Sequence, residues 1–126
     1  MIKKGKGVIL NISSIYGFMA ADQRIYGKSG QNSNIAYAVS KAGLINMSRY
    51  LASYWQGKNI RVNSLSPGGV YNNQDPEFVK NYKNKTITKR MAEPKDLSSA
   101  LVYLISDASD YVTGFNLVVD GGFTAW

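Results

Sequence analysis

The sequence predicts an α/β fold built on a parallel sheet. Short apolar, β-rich runs alternate with helical segments, in the order strand, helix, strand, two helices, strand. Each apolar run ends in small polar or turn-forming residues, at Ser13-Ser14, Pro67-Gly68-Gly69 and Asp120-Gly121-Gly122. Right-handed crossovers then lay the helices against the sheet. The 126 residues allow one ordinary domain, and the 44% hydrophobic content fits a packed core rather than disorder.

Taken in order, Val8 to Ser13 reads as a short buried strand. Ser14 to Asn34 is rich in Gly, Ser, Asn and Gln and reads as a long loop, a length that often accompanies function. Ile35 to Trp55 is the clearest helix. Leu44, Met47, Leu51 and Trp55 fall at helical spacing, with Ala36, Val39 and Gly43 extending one face. Ser33 or Asn34 caps its start, and Gly57 suits its end. Ile60 to Ser66 is a second strand. Asp75-Pro76-Glu77 opens a helix to about Asn84, with the cap followed by proline at the first position. Pro94 opens another, with Leu97, Leu101, Leu104 and Ile105 on one stripe. Phe115 to Val119 is a third strand. Three strands make a thin sheet, and Val8-Ile9-Leu10 is apolar enough to expect neighbours on both sides, so one edge reads as unfinished.

Composition narrows the chemistry. The chain has no histidine and no cysteine. That excludes an imidazole base, a Ser-His-Asp triad, a thiol nucleophile, a disulfide framework and a thiolate or histidine metal site. Serine, tyrosine, lysine, carboxylates or a borrowed cofactor remain. No 18-residue apolar run is present, so a cytoplasmic protein without a membrane partner is expected. The net charge of +7 fits either an anionic partner or plain solubility. Nucleic acid is not the expected partner, because Tyr82 is a poor substitute for interleaved aromatic stacking.

Tyr37 and Lys41 lie four apart on the long helix and share a face. An ammonium beside a phenol favours the phenolate, which makes such a pair a proton donor and acceptor. Tyr54 and Lys58 repeat the spacing, but at a helix end where Lys58 suits the terminal carbonyls. Ser14 follows the first strand, and ligands of open parallel sheets bind outside the carboxyl ends of strands. There it either hydrogen-bonds a substrate oxygen or caps a turn. Pro67-Gly68-Gly69-Val70 ends the second strand on the same rim, either as a plain turn or as backbone open to a ligand.

Four segments in order then carry a specific resemblance. They are Asn-Ile-Ser-Ser-x-x-Gly at 11–17, Tyr-Ala-Val-Ser-Lys-Ala-Gly at 37–43, Ile-Arg-Val-Asn-Ser-Leu-Ser-Pro-Gly at 60–68 and Tyr-Val-Thr-Gly-x-x-x-x-Val-Asp-Gly-Gly at 111–122. Together they resemble the short-chain dehydrogenase/reductase family over nearly the whole chain. The wording around Ser14 to Asn34 and Ser66 to Gln74 is also similar to members from surface-sugar and flagellin-modification pathways. The resemblance implies an NAD(P)-dependent oxidoreductase acting on a hydroxyl or carbonyl group of a small molecule, a sugar or sugar phosphate. Tyr37 would be the acid-base residue. Lys41 would tune it and bind the nicotinamide ribose. Ser14, rather than Ser13, would hold the carbonyl oxygen. Val70 backbone would meet the carboxamide, with Pro67 and Gly68 shaping the pocket. Asn72 stands where the family often has threonine. NAD or NADP is the implied cofactor and no metal is required. The helix 35–55 would pack in a homo-oligomer.

The sequence departs from that family twice. The interval from Ser14 to Tyr37 is longer than usual, which reads as an insertion at Ala20 to Ser33 that either offers Arg24, Tyr26 or Lys28 to substrate or is a solvated loop. In addition, no strand in this chain is followed by a glycine-rich pyrophosphate turn opening a helix. Residues 1–126 are therefore expected to be the catalytic, C-terminal half of a Rossmann-like doubly wound domain, about three strands with flanking helices. A fragment without independent activity and a non-catalytic oligomerising module are the alternatives. The basic run Lys80, Lys83, Lys85, Lys89 and Arg90 suits either an acidic or phosphorylated sugar or a helix C-terminus.

Overall fold

A computed structural model describes residues 1–126. Three strands form one parallel sheet in the order β1-β2-β3, with β1 at Gly7–Ile12, β2 at Ile60–Pro67 and β3 at Asn116–Val119. β1 runs from Gly7 opposite Ile60 to Ile12 opposite Leu65. β3 pairs Asn116 with Ser64 and Val119 with Pro67. The central strand is the buried one, and Ile60 through Ser66 are all shielded. β1 has a strand on one side only, so Val8, Ile9 and Leu10 are half-buried and Ile12 is exposed. The expected open edge is present.

Three α-helices follow from legible start signals. α1 spans Ile35–Tyr54, and Asn34 is its cap, its side-chain oxygen accepting the Ala36 N–H at 2.8 Å. α2 spans Pro76–Lys85, where Asp75 accepts from Glu77 and Phe78. α3 spans Pro94–Ile105, and the Glu93 N–H donates to Asp96. None of these helices is long and apolar enough to cross a membrane.

The packed face of α1 differs from the expected one. Ile45 and Ser48 are buried and Leu44, Leu51 and Trp55 half-buried, while Ala36, Val39, Gly43 and Met47 face outward. A polar residue decides the face. Ser48 accepts from Asn11 of β1 at 2.9 Å and donates to the Leu44 carbonyl at 2.8 Å, with the Asn63 carbonyl of β2 a further 3.4 Å contact. On α3 Leu104 is fully buried, but Ile105 is exposed.

The expected loop between β1 and α1 is partly ordered. It holds two short 3-10 turns, Ile15–Gly17 and Gln23–Tyr26. Ile15 and Ile25 enter a core cluster with Tyr82, Met91 and Phe123, beside the carboxyl ends of the strands. The buried Arg61 guanidinium donates to the carbonyls of Leu104 and Ser106 at the end of α3, and to the Val112 carbonyl in the segment that follows.

Candidate active site

The carboxyl ends of β1 and β2, the start of α1 and the inner side of α2 enclose a cavity of about 610 Å³. Ser14, Tyr37, Lys41, Pro67, Gly68 and Val70 all line it. Asn72 does not: it is exposed, and its N–H donates to the Gln74 side chain at 2.7 Å.

Local geometry explains how a strand exit and a helix come together here. The Ser13 hydroxyl donates to the Lys41 carbonyl at 2.7 Å, and the Lys41 ammonium donates back to the Ile12 carbonyl at 3.0 Å. Gly17 makes this contact possible, because a Cβ there would lie 2.8 Å from the carbonyl carbon and oxygen of Lys41. The same ammonium sits 5.5 Å from the centre of the Tyr37 ring, within cation–π range. The two serines differ. Ser13 spends its proton on Lys41, whereas Ser14 accepts from the Tyr16 N–H at 3.2 Å and its own hydroxyl proton has no acceptor in the chain. Ser14 is thus the serine free to donate into the cavity.

The turn after β2 offers backbone. The Val70 carbonyl is taken by the Gln74 side chain at 2.8 Å, and the neighbouring bridge to Ala92 uses the Gly69 carbonyl and the Tyr71 N–H. The Val70 N–H donates to no group of the chain. An unused donor on a cavity wall fits an amide-bearing ligand such as nicotinamide.

The opposite wall is aromatic and was not evident from the motifs. Tyr16, Tyr26, Phe78 and Tyr82 line it. Tyr82 stacks on Phe123 at 4.6 Å, and its hydroxyl accepts the Gly69 N–H. Burial pushes its phenol up to about 12, and burial raises the Tyr16 phenol as well. The four-residue spacing of Phe78 and Tyr82 on α2 is the signal that could have found this wall. Of Arg24, Tyr26 and Lys28, Tyr26 reaches the cavity, and Asn32 and Ser33 at the end of the insertion line it too. The Arg24 side chain is 87% exposed and pairs with Asp22 at 2.8 Å, and Lys28 is exposed.

Comparison with known proteins agrees with this architecture. A family model described as enoyl-(acyl carrier protein) reductase matches residues 1–124. A crystal structure of a short chain dehydrogenase from Leptospira borgpetersenii with bound NAD+ superposes with a TM-score of 0.91 at 50% identity, over 98% of this chain and 47% of that one. The chain belongs to the short-chain dehydrogenase/reductase family. Among relatives in this family, post-translational flagellin modification protein A of Campylobacter coli is 39% identical over 96% of this chain and 47% of its own length. An NADH-dependent L-xylulose reductase of Ambrosiozyma monospora is 38% identical over 98% of this chain and 45% of its own. This short-chain dehydrogenase/reductase chain spans about half the length of the curated relatives it matches, and its three parallel strands with flanking helices are part of a Rossmann-like fold.

Proposed function

We propose that this chain is the catalytic half of an NAD(P)-dependent oxidoreductase that interconverts a hydroxyl and a carbonyl group on a sugar or polyol. The observation that carries the proposal is the convergence of the Ser14 hydroxyl, the Tyr37–Lys41 pair and the free Val70 N–H on one cavity. The reduced cofactor, when bound, supplies the hydride. Lys41 and the Val70 N–H would hold its ribose and carboxamide, with Pro67 and Gly68 shaping the pocket around it; Asn72 would take part only after moving from its exposed position.

The chain's own residues handle the proton and the orientation. Ser14 donates a hydrogen bond to the substrate oxygen and fixes it. Tyr37 gives its proton to that oxygen in reduction and takes it back in oxidation. The Lys41 charge stabilises the phenolate left behind. Tyr16, Tyr26, Phe78 and Tyr82 supply an apolar wall beside these groups. Names of relatives support the substrate class: the xylulose reductase acts on a sugar.

The test is turnover after the chain is complemented with the N-terminal half of the Leptospira relative. Tyr37→Phe is expected to lower kcat by about 10²- to 10⁴-fold. Turnover unaffected by that change would remove Tyr37 from the mechanism.

A second reading has its own observation. Val39, Tyr50 and Tyr54 of α1 are each more than 60% exposed, with Met47 beside them. Such a stripe fits helix-to-helix pairing, so we also propose a homo-oligomer formed through residues 35–55.

A further inference from the structure

We infer that Tyr26 determines specificity and that the cavity is shaped for an uncharged polyhydroxylated substrate, rejecting a phosphorylated one; this rests on the function proposed above. The distribution of charge is the first ground. Among all the residues lining the cavity, Lys41 is the one charged side chain, and the cofactor claims it. The basic run on and after α2 does not reach inside. Lys85 is paired with Asp22 and Arg90 with Asp96. Lys80, Lys83 and Lys89 line a separate groove with Tyr71 and Gln74. The lining offers a phosphate dianion no second cation to replace the hydration it would give up on entry.

The second ground is the wall that Tyr26 helps to build. Its ring packs against Phe78 with centroids 5.1 Å apart. An aromatic face is negative at its centre and attracts the C–H edges of a polyol or sugar ring. Beside it are hydrogen-bonding groups for the hydroxyls. The Asn32 amide and the Ser33 hydroxyl make no hydrogen bond within the chain. Asn34 uses its oxygen as the α1 cap, which leaves its NH₂ to donate. Aromatic surface flanked by neutral donors and acceptors is the chemistry that recognises a neutral polyol.

The third ground is rigidity. Ile25, adjacent in sequence, is 2% exposed in the core cluster. Its carbonyl accepts from Asn81 of α2 at 3.3 Å. The Lys28 N–H donates to Glu77 of α2 at 3.1 Å. Gly27 has φ 55° and ψ −132°, a conformation that favours glycine, and it seats the segment directly against the Glu77 carboxylate. Two ties, on either side of Tyr26, therefore hold its ring against the cavity.

Saturation-transfer NMR on the 126-residue chain, with D-glucitol and D-glucitol 6-phosphate as probes, tests this. A parallel NADH titration monitors the cofactor site. Glucitol is expected to bind the wild-type chain at least about tenfold tighter than its phosphate, with Tyr26→Ala weakening it by about fivefold or more and Tyr26→Phe by less than about twofold. NADH affinity should be the same in all three proteins. Circular dichroism establishes that each variant is folded, and Tyr26→Leu, which keeps apolar bulk but removes the aromatic face and is also expected to weaken glucitol binding by about fivefold, carries the comparison if the alanine variant unfolds. Failure of glucitol to bind, equal binding of the phosphate, or indifference to Tyr26→Ala in a folded protein would overturn the inference. Glucitol selectivity intact with no NADH binding even after complementation with the N-terminal half of the Leptospira relative would overturn the proposed oxidoreductase and leave the polyol wall standing.

Discussion

At the residue scale, Tyr82 links the cavity wall to the stability of the whole site. Its ring packs between Phe78 and Phe123, and its hydroxyl holds the Gly69 N–H in the turn that also presents Val70. Removing the hydroxyl leaves a half-buried N–H unpartnered, so Tyr82→Phe should cost about 1–3 kcal/mol in urea denaturation at neutral pH. The pH dependence has a definite sign. Burial raises this phenol from 10.0 to about 12, so the unfolded chain loses the proton first. The stabilisation is complete below pH 10 and is lost as pH rises through about 12. Tyr82→Phe should therefore reduce the alkaline loss of stability between those values, with Tyr16 and the ion-paired Lys6 and Lys95 contributing to what remains. The chain motif at 37–41 and the strand-end serines mark the polar half of the site in sequence. Tyr82 is marked only by its spacing from Phe78; its partners Phe123 and Gly69 are 41 and 13 positions away, and its burial is a product of tertiary packing.

At the scale of elements, helix starts were legible because each is written locally: Asn34 and Asp75 accept N–H groups two or three residues ahead, and Asp96 accepts the N–H of Glu93 three residues back. The face of α1 was not legible from apolar spacing. It is set by Ser48 bonding across to Asn11 and Asn63, a pairing spread over three elements. The same holds for the insertion. Its polar composition reads as loop, yet Ile25 anchors it in the core and Asp22 ties it to Lys85, 63 positions on. The contact that brings α1 to β1 can be tested by Gly17→Ala. The added methyl would sit 2.8 Å from Lys41 backbone, so it should destabilise the chain by about 1–3 kcal/mol and shift Lys41 away from Ile12. Thermal melting reads the first effect, and NMR of the Lys41 ammonium the second. An unchanged melting temperature would show that the helix has more freedom than the packing allows.

At the scale of the whole molecule, two surfaces remain open. One is the outer edge of β1, whose apolar residues are only half covered. The other is the outward stripe of α1. Sedimentation velocity should show a concentration-dependent dimer, and Tyr50→Asp combined with Val39→Asp should return it to monomer without changing the circular dichroism spectrum. A dimer indifferent to both changes would locate the interface elsewhere.

As proposed, Ser14, Tyr37, Lys41 and Val70 would form one ligand site for the nicotinamide end of a dinucleotide. Titrating the isotope-labelled chain with reduced nicotinamide mononucleotide and with NADH reads this directly. These 126 residues carry no glycine-rich pyrophosphate turn, so the two ligands are predicted to bind with affinities within about threefold of each other. The signals of Ser14, Tyr37, Lys41 and the Val70 N–H should shift together along one binding curve, and Lys41→Ala should abolish it. Shifts confined to the groove of Lys80, Lys83 and Lys89, or a Val70 N–H that stays still at saturation, would contradict the account.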